Sequence, residues 1–136
     1  MKDQLILCVD DNLDIRDLIT LILEEEGYDL ISSSEGDAAL TLIKERKPAL
    51  ILLDVMMPGI SGLDVLRTLR SHSDPSINQT PVIMITAKSQ SSDIDEALGA
   101  GATSYIVKPF RPEALIEKVQ KFLPIKIQNW ADLCAR

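Results

Sequence analysis

The sequence predicts an α/β fold, a five-stranded parallel sheet with helices on both faces. Three observations carry this expectation. Strand-like runs and helical patterns alternate five times along the 136 residues. A helical stretch between successive strands makes the pairing parallel and the crossovers right-handed. The first and third runs are almost wholly apolar, as befits central strands covered on both sides.

The strand-like runs are 5–9, 28–32, 49–53, 81–86 and 103–107, and the helical patterns lie near 13–26, 36–46, 62–70, 91–99 and 111–122. In the first helix Leu13, Ile15, Leu18, Ile19, Ile22 and Leu23 form an apolar stripe, and Gly27 supplies the stop. Glu24, Glu25 and Glu26 precede that stop, at the unfavourable end of the helix dipole, and read as a solvated end. The second strand, Tyr28 to Ser34, is more polar and fits a sheet edge. The segment Ser71 to Thr80 is polar, contains Pro75 and reads as a loop, with His72 as a solvated surface residue. Pro112 suits the first turn of the last helix. Together these features favour the flavodoxin-like (βα)5 arrangement with strand order 2-1-3-4-5. The domain pattern spans 1–123. Residues 124–136 form a tail with a weakly amphipathic look through Trp130, Leu133 and Cys134.

Composition narrows the function classes. Hydrophobic residues make up 46% of the chain and charged residues 26%, the profile of a soluble globular protein. The net charge of −7 argues against direct nucleic-acid binding by this domain. No apolar run nears membrane-spanning length and no signal sequence opens the chain, so a cytoplasmic location is expected. Cys8 and Cys134 sit at opposite ends and match no metal-ligand spacing. Cys8, inside the first strand, reads as a small buried hydrophobe.

The chemistry lies at strand ends. The run Ile51-Leu52-Leu53 ends in Asp54, followed by Val55-Met56-Met57-Pro58-Gly59, and the first strand ends in Asp10 and Asp11. Open parallel sheets bind ligands at the carboxyl ends of their strands, and in this strand order the acid pair lies beside Asp54. Thr86 ends the fourth strand and Lys108 ends the fifth. Hard carboxylate oxygens suit Mg2+, or Mn2+, and such an ion also holds phosphoryl oxygens. Lys108 and the Thr86 hydroxyl supply further phosphoryl contacts. Phosphoryl transfer is mostly positioning and charge neutralisation, and an aspartate needs no general base to attack. The blander reading makes the aspartates turn or cap residues. Asn12 is equally well explained as a helix cap.

At these positions the chain resembles the receiver domains of two-component response regulators, over residues 4–123. The matching motifs are Val9-Asp10-Asp11-Asn12, Leu53 to Gly59, Ile85-Thr86-Ala87 and Val107-Lys108-Pro109-Phe110. The resemblance implies that Asp54 accepts a phosphoryl group from a sensor histidine kinase or a histidine phosphotransfer protein. It implies that Asp10, Asp11, Asp54 and the backbone carbonyl of Met56 hold the metal, and that Lys108 and Thr86 contact the phosphoryl group. Thr86 and Tyr105 would form the switch, Met56 and Lys88 would tune dephosphorylation, and the bond before Pro109 would be cis. Met56 cannot orient a water strongly, so dephosphorylation is expected not to be among the fastest. The changed face, made by the helix near 91–99, the strand 103–107 and the helix 111–122, would bind a downstream target, an output domain or a second copy. The sequence leaves open a single-domain regulator and a receiver cut from a longer chain.

Two rivals come from other classes. A phosphohydrolase forming an aspartyl-phosphate would need a second acid two residues after the nucleophile, where Met56 stands. A flavin carrier would want a phosphate-cradling loop after the first strand, where Asp10-Asp11-Asn12 would repel phosphate.

Overall fold

The computed structural model describes residues 4–125. Residues 126–136 of the expected tail, with Trp130, Leu133 and Cys134, lie outside the described residues. The elements in chain order are β1 (Leu5–Val9), α1 (Leu13–Glu25), β2 (Asp29–Ser33), α2 (Gly36–Arg46), β3 (Leu50–Leu53), α3 (Gly62–Arg70), α4 (Pro75–Asn78), β4 (Val82–Thr86), α5 (Ser91–Gly99), β5 (Ser104–Val107) and α6 (Pro112–Phe122). The strands form one sheet in the order β2-β1-β3-β4-β5, with every pair parallel.

The two-residue period of a strand sorts the central side chains onto two faces. Leu7, Val9, Ile51, Leu53, Val82 and Met84 face one core with Ala39, Ile43, Val65, Leu66, Leu69 and Ala97 of α2, α3 and α5. Ile6, Cys8, Leu50, Leu52, Ile83 and Ile85 face the other with Ile19, Leu23, Leu115 and Val119 of α1 and α6. Each core therefore buries complete Leu, Ile and Val side chains, each worth roughly 1.5–3 kcal/mol of transfer free energy. Gly27 takes φ 98° just past α1, which explains why the helix stops there. The polar strand β2 stands at an edge as expected, although Tyr28 just before it is buried.

The loop expected over 71–80 instead contains the single turn α4. Asp74 caps it by accepting from the Ser76 amide at 2.9 Å, and Pro75 occupies its first turn. Four residues are too few for an apolar period to show in the sequence. Arg70 holds this segment in place, donating to the carbonyls of Asn78 (3.0 Å), Thr80 (2.6 Å) and Gly101 (2.9 Å). His72 is half-buried and not a free surface residue, because its Nδ1 accepts from the Asp74 amide at 3.0 Å. Among the described residues no helix is long and apolar enough to cross a membrane.

Candidate functional site

The carboxyl edge of the sheet delivers the acidic residues. The Asp10 amide donates to Ser33 O (3.1 Å) and the Asp54 amide donates to Val9 O (3.0 Å). The parallel ladder thus runs one residue past β1 and β3 before the chain turns. This fixes both backbones on the rigid scaffold, with Asp10 only 2% and Asp54 only 6% exposed. Asp11 is exposed. One carboxylate oxygen each from Asp10, Asp11 and Asp54 lies within 4.8 Å of the others.

Local hydrogen bonds aim the carboxylates. Asp10 Oδ1 accepts from the Asn12 amide at 3.0 Å, and Asp54 Oδ1 accepts from the Met56 amide at 3.1 Å. Asn12 itself caps α1, its Oδ1 accepting from the Ile15 amide at 3.2 Å. Its side chain is therefore engaged in the helix start, which settles the alternative in favour of the cap.

Lys108 enters from β5. Its amide donates to Thr86 O at 2.8 Å, and its peptide bond to Pro109 is cis. Its Nζ donates to Asp10 Oδ2 at 2.6 Å and to Asp54 Oδ2 at 3.0 Å. Burial pulls the Lys108 ammonium down, but the bonds and charges of Asp10 and Asp54 more than offset this and hold its pKa above the usual lysine value.

Thr86 is completely buried, and its Oγ1 accepts from the Lys88 amide at 3.4 Å. Tyr105 is half-buried, and its hydroxyl donates to the Lys88 carbonyl at 2.8 Å. Burial first, then the charges of Asp93 and Asp54, raise the Tyr105 phenol above its ordinary value, so it stays protonated as a donor at neutral pH. Thr86 and Tyr105 therefore both hold the backbone of one residue, one at its amide and the other at its carbonyl. Met57 packs against the core, whereas Met56 is 57% exposed. Asp11, Met56, Met57, Ser61, Leu63 and Lys88 line an open groove of about 600 Å³ beside the acids.

Two contributors carried no motif. Arg16 on α1 donates from Nη1 to the Asp10 carbonyl at 2.6 Å, pinning the turn after β1. A cation less than two turns into the helix after an acidic strand end was the only available signal. Gly62 opens α3, and its amide donates to Val55 O at 2.9 Å. A Cβ there would overlap the Asp54 carbonyl oxygen and lie 2.9 Å from the Val55 Cα. Backbone cannot yield as a flexible side chain can. Gly62→Ala is expected to lower stability by roughly 1–3 kcal/mol or more, as overpacking does. It should also weaken divalent-ion binding by tilting Asp54. Urea unfolding and a Mg2+ titration check both, and wild-type values in either would contradict the close approach.

The residues present fit a hard divalent cation, because three carboxylates converge and the exposed Asp11 leaves room for metal-bound water. This sheet order, with an acidic triad and a lysine at its carboxyl edge, defines a class. The chain belongs to the response regulator receiver domain family, whose model matches residues 6–120. It is 41% identical over 117 residues to the DNA-binding response regulator MtrA of Mycobacterium tuberculosis H37Rv, covering 86% of this chain and 49% of that protein. It is 39% identical over 123 residues to the phosphate regulon transcriptional regulatory protein PhoB of Pseudomonas aeruginosa, covering 90% of this chain and 53% of that protein. The chain thus spans about half the length of the curated relatives it matches. Among solved structures, the Vibrio cholerae chemotaxis protein CheY4 superposes with a TM-score of 0.81 at 31% identity, covering 88% of this chain and 98% of that one. The BeF3-activated N-terminal receiver domain of Klebsiella pneumoniae RstA gives 0.80 at 29% identity, covering 89% and 99%.

Proposed function

We infer that this receiver domain is a phosphorylation-controlled switch with Asp54 as its phosphoacceptor. The observation that carries the reading is Lys108 Nζ bridging Asp10 and Asp54 at 2.6 and 3.0 Å, with Asp11 alongside. The donor would be a phosphohistidine on a sensor kinase or phosphotransfer protein. An oxygen of Asp54 attacks phosphorus, the P–N bond to imidazole breaks, and an acyl phosphate results. Asp10, Asp11, Asp54 and the Met56 carbonyl would hold Mg2+ or Mn2+. When bound, that ion neutralises the carboxylates and the phosphoryl oxygens together. Lys108 leaves its bond to Asp54 and pairs with a phosphoryl oxygen, which keeps the ammonium neutralised.

The response follows from the Lys88 backbone. The Thr86 hydroxyl, now 3.4 Å from the Lys88 amide, turns to the phosphoryl group. That frees one of the two grips on Lys88, and Tyr105, holding the Lys88 carbonyl at 2.8 Å, shifts with the segment. Phosphorylation shifts the population only by its differential contacts in the two states, and these hydrogen bonds are such contacts. The altered surface of α5, β5 and α6 is the one read by a downstream protein, an output domain or a second copy. A cytoplasmic setting suits this role. Residues 1–123 would form the domain and 124–136 the tail or linker. The phosphohydrolase alternative gains no support, since the apolar Met56 occupies the place of its second acid.

Incubation with acetyl phosphate and Mg2+ tests the reading. One phosphoryl mass should appear on the intact protein, should map to the peptide containing Asp54, and should vanish when EDTA is present. Uptake that ignores EDTA, or no uptake at all, would count against it.

A further inference from the structure

Four sulfur-bearing side chains fall among the described residues, and they differ sharply in access. Cys8 is 1% exposed, and burial first, then the charge of Asp10, pushes its thiol up to about 12. It is therefore a poor nucleophile at neutral pH. Met84 is completely buried in the sheet. Met57 is half-buried against the core that α2, α3 and α5 help to form. Met56 is different, with 57% of its surface open to solvent in the groove that also contains Asp11 and Lys88. Its backbone is tied to the phosphoacceptor, because its amide donates to Asp54 Oδ1 at 3.1 Å. The exposed thioether thus stands at the mouth of the site on a fixed backbone.

We propose that the Met56 thioether is a reversible oxidation site whose sulfoxide shortens the life of a phosphoryl group on Asp54. The oxidant class is a peroxide. The sulfur lone pair attacks one peroxide oxygen, the O–O bond breaks, the sulfur loses two electrons, and hydrogen peroxide leaves as water. The product carries a polar S=O where an apolar thioether stood. A thioether is a weak acceptor and holds no water firmly. A sulfoxide oxygen accepts a hydrogen bond from water and so keeps a water in the groove that Asp11 and Lys88 also line, two residues along the chain from Asp54. Sulfoxide reductases return the thioether, so the change is reversible. Access explains the selectivity: the neighbouring Met57 has the same chemistry and also borders the groove, but it is half-buried against the core where Met56 is exposed. The lifetime effect rests on Asp54 as phosphoacceptor, while the oxidation itself does not.

The test has two independent readouts. The protein is titrated with hydrogen peroxide and mapped by peptide mass. Met56 should gain one oxygen before Met57 or Met84 does, and earlier gain at either of those overturns the assignment. Parent and Met56→Leu proteins are then phosphorylated with acetyl phosphate, and phosphoryl loss is followed with and without prior oxidation. Each protein is compared with itself. Oxidation should shorten the parent half-life about two- to tenfold, the size of one added hydrogen bond, and leave the Met56→Leu half-life where it was. An unchanged parent half-life, or an equal change in both proteins, overturns the regulatory role. If the unoxidised parent takes up no phosphoryl group, the phosphoacceptor reading fails and the lifetime effect falls with it. The peptide map still decides the oxidation site.

Discussion

An Asp54→Ala variant is expected to take up no phosphoryl mass from acetyl phosphate and Mg2+, yet in metal-free buffer to be as stable as the parent or more so. The loss of uptake follows from removing the proposed nucleophile. The stability follows from charge. Asp10, Asp11 and Asp54 present oxygens within 4.8 Å of one another, and Lys108 is the cation that bridges two of them. At an effective dielectric constant of about 20, like charges at that distance repel by roughly 3 kcal/mol. Deleting Asp54 removes two such repulsions and one attraction to Lys108 of comparable total size. Lys108 keeps its 2.6 Å bond to Asp10 and is not stranded. The proposed function of Asp54 therefore runs against stability, as expected where charged groups are gathered for a ligand. Intact mass and urea melts provide the check. Phosphoryl mass persisting in the variant, or a loss above about 2 kcal/mol where ordinary substitutions cost about 1, would contradict this account.

Lys108→Met has the opposite consequence. It leaves Asp10 and Asp54, both nearly buried, with no counter-charge on their Oδ2 atoms. A buried polar group deprived of its partner costs about 1–3 kcal/mol, and a charged one tends to the upper end. The variant should therefore be destabilised by that amount in metal-free buffer. Mg2+ should raise its melting temperature more than it raises the parent's, because the ammonium no longer competes for the same oxygens. A pH dependence accompanies this. The Lys108 pKa is raised in the folded protein, so its stabilisation is complete below the unfolded lysine value of about 10.4 and is lost as pH rises through the folded value. The parent should lose stability on that alkaline limb by a step that Lys108→Met lacks. Melts across pH 8 to about 11, with and without Mg2+, measure all three effects. An equal Mg2+ response in both proteins would show that Lys108 does not share the metal's ligands.

The strand order and the two faces of the sheet were legible in the chain because apolar periodicity is a local signal. Leu5 to Val9 and Leu50 to Leu53 are buried throughout, and their continuous apolar runs announce central strands. Asp10, Asp11, Asp54, Thr86 and Lys108 were legible for a related reason. Each closes a strand, and parallel strands bring all their carboxyl ends to one edge. The turn α4 was not legible, since four residues offer no period. Nor was the grip of Arg70 on three carbonyls, one of them 31 residues away.

By itself, the sequence determined the sheet, its order and the set of groups at its carboxyl edge, because side-chain period and strand succession are properties of the chain. Only the tertiary structure decided which of those groups touch. It decided that Lys108 lies on Asp10 and Asp54 together, and that Gly62 must lack a side chain for the Asp54 carbonyl to pass. It placed Tyr105 and Thr86 on the same residue, Lys88, and left Met56 exposed while Met57 packs partly against the core. The reason is physical. Contacts between strand ends are set by how the crossover helices seat each loop, and packing fixes those positions to a fraction of the distance over which a hydrogen bond is made or lost.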